Sequence, residues 1–122
     1  MFRKKRDFSS TELYVGKGTV IKGDISVEGS GVVEGVIEGN LDVKGELILG
    51  KNGKIRSQEI KVGSLLCMGE IITNIIIGER LEFQNTAIFK GDLRCKILVV
   101  EEGAKLEGNI SQLIDVQTQN KG

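Results

Sequence analysis

The sequence predicts an all-β solenoid, a parallel β-helix of about six coils with a repeat near 17 residues and no end caps. Three observations carry this reading. A short apolar–polar–small–polar–apolar unit recurs at near-constant spacing, apolar and polar residues alternate within each unit, and the 122 residues include 17 glycines and no proline. Alternation of period two marks a strand with one buried face. Glycine at that density would cost about 1 kcal/mol at each interior position of a helix, so a helical bundle is excluded.

Along the chain the unit first reads Ile21-Lys22-Gly23-Asp24-Ile25 and then Ile37-Glu38-Gly39-Asn40-Leu41. Two degenerate copies follow, starting at Ile55 with Ser57 as the small residue and at Ile72 with Asn74 there. Phe89-Lys90-Gly91-Asp92-Leu93 and Leu106-Glu107-Gly108-Asn109-Ile110 complete the set. The anchors Ile21, Ile37, Ile55, Ile72, Phe89 and Leu106 are spaced 16, 18, 17, 17 and 17 residues apart. A second apolar column, six residues before an anchor, contains Val15, Leu49, Leu66, Phe83 and Val100; Leu47, Leu81 and Leu98 sit eight before. In the short second interval Val32 or Val33 fills that site. Gly35, Gly53, Gly69 and Gly103 precede anchors by two or three residues, where a coil turns a corner.

Each repeat is then one coil whose strands pair in parallel with the coils above and below. A single coil cannot bury its own apolar face, and stacking makes the core continuous. Six coils at about 4.8 Å give a rod of roughly 30 Å. A β-sandwich also offers short strands and turns, but it would not need a constant register near 17.

Solenoids that stay monomeric close their ends with a polar cap or a helix, and no such segment is visible. The first coil is expected to expose Tyr14, Val15, Val20, Ile21 and Ile25. The last is expected to expose Leu106, Ile110, Leu113 and Ile114. Open strand edges recruit other strands, so these nine residues are the candidate polymer interface. End-to-opposite-end and end-to-like-end contacts both propagate, and the sequence does not choose between them.

The run Gly23-Asp24-Ile25, Gly39-Asn40-Leu41, Gly91-Asp92-Leu93 and Gly108-Asn109-Ile110, together with the start Met1-Phe2-Arg3-Lys4-Lys5 and short tails, resembles the bactofilin family. The resemblance implies a right-handed β-helix over residues 14–114. It also implies nucleotide-independent polymerisation into bacterial cytoskeletal filaments, attachment to the inner face of the cell membrane, and cell-wall or cell-shape proteins as further partners. Residues 1–13 are expected to form a flexible basic tail and 115–122 a second tail. The middle coils depart from the pattern: Ser57 and Asn74 replace glycine, and Gln58 reads as a one-residue insertion.

Charged residues are 28 % of the chain and balance to zero, which gives no electrostatic case for a nucleic-acid partner. Their distribution is uneven. Arg3, Lys4, Lys5 and Arg6 sit beside Met1 and Phe2, with Phe8 close behind, whereas the chain from Asp7 onward carries 13 basic and 17 acidic residues. These seven N-terminal residues are the candidate membrane-binding segment. Each cation near an anionic leaflet contributes about 1 kcal/mol, the aromatic rings can insert, and repetition along a filament adds avidity. The competing reading is a solvated tail.

No signal peptide and no apolar run of membrane-spanning length is visible, so the expected location is cytoplasmic, peripheral at the membrane. No catalytic, cofactor or metal site is expected. The chain has no histidine, which a hexapeptide-repeat acyltransferase would need, and no G-x-x-x-x-G-K-[ST] loop for nucleotide. Cys95 shares the inward column of Val27 and Val43. Cys67 is expected to face outward, so the two thiols should not bridge. The reading is a polymerising scaffold; the alternative is a monomeric β-helix that binds a protein or glycan on its charged faces.

Overall fold

The computed structural model describes residues 11–112, all of it strand and turn with no helix among those residues. The strands are β1 (Thr11–Val15), β2 (Val20–Lys22), β3 (Ile25–Val27), β4 (Ser30–Val33), β5 (Val36–Glu38) and β6 (Leu41–Leu49). They continue as β7 (Lys54–Cys67), β8 (Glu70–Phe83), β9 (Ile88–Val100), β10 (Lys105–Glu107) and β11 (Ile110–Gln112). All pair in parallel within one sheet. The long strands bend through corners, so the sheet wraps into three faces. Face A comprises β1, β4 and the C-terminal ends of β6 to β9. Face B comprises β2, β5, β10 and the starts of β7 to β9. Face C comprises β3, β11, the start of β6 and the middles of β7 to β9. The predicted parallel β-solenoid of about six coils with a repeat near 17 is the observed fold.

The core is a set of inward columns, one residue per coil. Ile21, Ile37, Ile55, Ile71, Phe89 and Leu106 stack on face B. Val15, Val33, Leu49, Cys67, Phe83 and Val100 stack on face A. Ile25, Leu41, Ile60, Ile76, Leu93 and Ile110 stack on face C. In the middle coils these side chains are essentially solvent-free, and each one so buried contributes about 2 kcal/mol. Phe83 and Phe89 fill the corner of the fifth coil with ring centroids 5.5 Å apart and planes tilted by 56°, a favourable edge-inclined arrangement.

Three register assignments differ from the sequence reading. The fourth anchor is Ile71, not Ile72, so the true spacings are 16, 18, 16, 18 and 17. The inward residue before it is Cys67, not Leu66, and the small residue after it is Thr73, not Asn74. The cause is a corner of variable length. Between faces A and B, most coils use four residues, such as Gly50–Gly53, whereas Glu34-Gly35 and Met68-Gly69 take the turn in two. In the fourth coil this shortening lies beside an extra residue at the next corner, which hides it in the overall count. Strand β1 also begins three residues before the predicted boundary at 14, so residues 11–13 belong to the first coil.

The corner between faces B and C explains the degenerate copies. Gly23, Gly39, Gly91 and Gly108 turn it with φ between +135° and +154°, a region closed to side chains with a Cβ. From Ile55 to Ile60 and from Ile71 to Ile76 the chain has one residue more, and no non-glycine residue takes a positive φ. The added length lets Ser57 and Thr73 replace glycine. Their hydroxyls are satisfied within the wall: Ser57 Oγ donates to Thr73 Oγ1 at 3.0 Å, and Thr73 Oγ1 donates to the Ile75 carbonyl at 3.3 Å. The insertion read at Gln58 is accommodated by Asn40, whose Oδ1 accepts from the backbone N–H of both Gln58 and Glu59 at 3.1 Å.

A Cβ on Gly91 would collide with the Thr73 carbonyl of the coil below, whereas a Cβ on Gly23, in the first coil, would meet nothing. Gly23→Ala therefore carries only the backbone strain, about 1–3 kcal/mol. Gly91→Ala adds the inter-coil clash and should cost at least about 1 kcal/mol more. Denaturant midpoints of the two variants provide the comparison, and equal midpoints would show that close coil contact does not select glycine.

Candidate polymerisation ends

The first and last coils differ from the inner ones in having one neighbour. Strands β1, β2 and β3 pair only with β4, β5 and β6. At the other end β10 and β11 pair only with β9, whose C-terminal part pairs only with β8. Each end therefore presents three parallel strand edges whose outward-pointing N–H and C=O groups have no strand partner among the described residues.

The inward columns open at these ends, and not equally. On face A the column is buried from Val15 (1 %) through Phe83, and then Val100 is 45 % exposed. On face C the terminal Ile110 is 54 % exposed, while Leu93 beneath it is 1 %. Leu98, Ala104 and Leu106 are half-buried against the core, as are Leu13, Ile21 and Ile25 at the first coil. A recess of about 460 Å³ at the last coil is lined by Phe89, Ala104 and Leu106 together with Ile88, Lys90, Lys105 and Glu107. The last coil is the more open apolar cross-section.

Of the predicted interface residues, Ile21, Ile25, Leu106 and Ile110 stand in the inward columns of the terminal coils. Val15 stands there too but is buried rather than exposed, which corrects the expectation. Tyr14 and Val20 are exposed at 68 % and 56 %. They belong to outward columns with Val32 and Val36, so they sit on the sides of the first coil and not in its cross-section. Leu113 and Ile114 lie outside the described residues, as do Met1, Phe2, Arg3, Lys4, Lys5, Arg6 and Phe8 of the candidate membrane segment. Val100, Leu98 and Ala104 were missed as end residues. Val100 and Leu98 were visible in the repeat columns and needed only to be followed to the last coil.

Cys67 is buried, not outward as expected, because the short corner moves it into the inward column between Leu49 and Phe83. Burial pushes its thiol up from 9.0 to about 12, against a smaller lowering from the Gly69 backbone, and the Cys67 Sγ–H donates to the Gly69 carbonyl at 3.4 Å. Burial also raises Cys95. Both are free thiols in different columns. Among the described residues no three His, Cys, Asp or Glu side chains gather as a metal site, and no helix is long and apolar enough to cross a membrane.

The family model of bactofilin, described as polymer-forming cytoskeletal, matches residues 13–111. The chain belongs to the bactofilin family. Bactofilin BacO of Myxococcus xanthus is 24 % identical over 96 residues, covering 79 % of this chain and 75 % of that protein. Among solved structures, a crystal structure of a point mutant of Thermus thermophilus bactofilin is 30 % identical. It aligns with a TM-score of 0.69 over 72 % of this chain and 97 % of that one. A cryo-EM reconstruction of Thermus thermophilus bactofilin double helical filaments aligns with a TM-score of 0.78 at 30 % identity, over 81 % of this chain and 97 % of that one. Membership carries a structural, filament-forming role.

Val100→Arg and Ile110→Arg would each put an unpaired cation into the end cross-section, costing several kcal/mol at a junction. Both should yield short soluble particles in sedimentation, whereas Val20→Arg, on an outer face, should leave assembly intact. For the thiols, neither cysteine should react with an aromatic disulfide reagent at pH 8 until the protein is unfolded, when both should. The stability tied to Cys67 is intact below pH 9.0, where both states hold the proton. It is lost as pH rises from 9.0 towards about 12, because only the unfolded thiol ionises there. Urea midpoints measured on either side of pH 9 check the sign.

Proposed function

We propose that this chain is a non-enzymatic cytoplasmic scaffold that stacks end to end, without nucleotide, into filaments held at the inner face of the cell membrane. The observation that carries the reading is that, among the described residues, each terminal coil has a neighbouring coil on one side only. Each end offers strand edges and apolar columns of the same triangular outline, so one rod can continue the sheet and the core of the next. Nothing in such a junction calls for a hydrolysed nucleotide, since exposed edges and apolar area supply the drive. The filament reported for the Thermus protein, which shares the fold and 30 % of its residues, supports the same reading here.

Membrane attachment rests on the segment Met1-Phe2-Arg3-Lys4-Lys5-Arg6 and on Phe8. Four cations near an anionic surface contribute about 1 kcal/mol each, which is weak for one chain and strong when repeated along a polymer. Cell-wall or cell-shape proteins are the partner class that such a filament would organise.

Negative-stain electron microscopy of the purified chain in nucleotide-free buffer tests the scaffold. Thin unbranched filaments are expected, and a uniform field of small particles would instead favour a monomeric binding module. Co-sedimentation with phosphatidylserine vesicles tests the anchor. Deletion of residues 2–8 should abolish vesicle binding while filaments persist, and unchanged binding would remove the anchor from the proposal.

A further inference from the structure

The three faces of the rod differ in their outward columns. Face B carries Lys22, Glu38, Arg56, Lys90 and Glu107 in one column, interrupted only by Ile72. Face C carries Asp42, Lys61 and Arg94, with Ile77 between the last two. There Ile72 lies between Arg56 and Lys90 and Ile77 between Lys61 and Arg94, whose aliphatic stems cover them, and the outward apolar pair Val20–Val36 of face B ends after two coils at Lys54.

Face A is different. Tyr14, Val32, Ile48 and Leu66 occupy one outward column over four successive coils. Tyr14 is exposed and the other three are half-buried. The fifth position is Glu82, whose carboxylate lies 3.5 Å from the Arg80 guanidinium, and Val99 resumes the column in the sixth coil. Glu12 and Glu46 flank this apolar stripe on one side, Glu34 and Glu101 on the other. The corner towards face B adds Lys17, Lys51 and Glu102, so six carboxylates stand against three cations. The corner towards face C is balanced, with Glu28 and Glu79 against Lys44 and Lys96. An apolar stripe with an acidic border is poorly suited to an anionic membrane and well suited to a basic, aromatic peptide.

Such a peptide is attached to this face. Strand β1 starts at Thr11, three residues before Tyr14, and the ten residues ahead of it hold Arg3, Lys4, Lys5 and Arg6, a single carboxylate at Asp7, and the rings of Phe2 and Phe8. Ten residues reach about 33 Å when extended, while four coils of stripe span only about 14 Å. Tethering makes the effective concentration about millimolar, so a weak affinity suffices. We propose that residues 1–10 dock along face A, with Phe2 and Phe8 on the Tyr14–Leu66 stripe and the four cations against its acidic border. Docking and membrane binding then compete for the same cations and rings, and the stripe acts as an internal brake on the anchor.

The test uses the full chain with Phe8 replaced by the photo-reactive p-benzoylphenylalanine, irradiated without lipid as an equal mixture of light and heavy-isotope chains. Cross-links within one chain to the segments around Val32, Ile48 and Leu66 are expected. The outward double substitution Ile48→Ser/Leu66→Ser should lower their yield about tenfold, with circular dichroism reporting an intact fold. Cross-links to faces B or C, or none above background, would overturn the proposal. Cross-links joining light to heavy chains would also overturn it, by giving the stripe to a second copy. The same double variant should bind phosphatidylserine vesicles more tightly than the parent, and equal binding would refute the competition. Failure of the anchor reading itself would appear as no vesicle binding by either protein, while the cross-linking result would stand independently.

Discussion

Parallel backbone pairing between successive coils is the constraint on which the rest of this molecule depends. Every inward residue sits directly over its equivalent one coil away, because the hydrogen-bonded ladder fixes the stacking distance at about 4.8 Å. That distance leaves room at the tight corners only for hydrogen, which is why a Cβ on Gly39, Gly91 or Gly108 would meet the backbone of the preceding coil. The same ladder has no means of ending itself. Where the chain supplies no further coil, the last strands keep one edge unpaired and the last side chains lose the layer that would cover them. Stability and the proposed end-to-end association thus have a single source: in that proposal a filament is the fold continued across a chain boundary.

The two boundaries are nevertheless unlike each other. Val15 is closed over at the first coil, while Val100 and Ile110 open at the last. Glu101, Glu102 and Glu107 gather around the open end with Lys105, so its apolar centre has a largely acidic rim. An apolar cross-section surrounded by charge separates affinity from selectivity: the centre drives association and the rim decides which surface is admitted. The two candidate assembly surfaces are therefore chemically distinct, not two copies of one.

Much of this was legible in the sequence, and the places where it was not have a common physical cause. Alternation locates a strand's inward face only where the outward face is polar. Around Ile21–Val27, Ile37–Val43 and Phe89–Cys95 it is, and those registers were read correctly. In Leu65-Leu66-Cys67-Met68 and in Ile71-Ile72 both faces are apolar, so period two carries no phase. There only constant spacing indicates the register, and spacing fails when a corner can be taken in either two or four residues. Constant spacing points Cys67 outward, whereas the two-residue corner turns it inward. Val15, Tyr14 and Val20 were grouped by proximity in sequence, although the coil points the first inward and the other two to its sides. Seeing that face A carries an apolar stripe required the cross-coil register of Tyr14, Val32, Ile48 and Leu66, whose spacings of 18, 16 and 18 residues no simple repeat supplies.

Corner length can vary because the ladder does not count residues between strands. A coil may gain a residue at Gln58 or lose two beside Gly35 provided that its three strands return to the same heights. Composition can vary as well. One inward column accepts Val, Leu, Cys and Phe in turn, since a neighbour's volume can compensate along a stack and cores tolerate such exchange when the total is kept. What must persist is the apolar character of each inward position and the absence of a Cβ, or an extra residue, where coils approach most closely. Few identities are fixed by such a rule. This accounts for a Thermus relative that shares 30 % of residues yet aligns over most of the chain at a TM-score of 0.78. It also directs attention to the outward columns, which the ladder leaves unconstrained. An apolar run maintained there over four coils is not required by the fold, and its explanation has to come from what it touches.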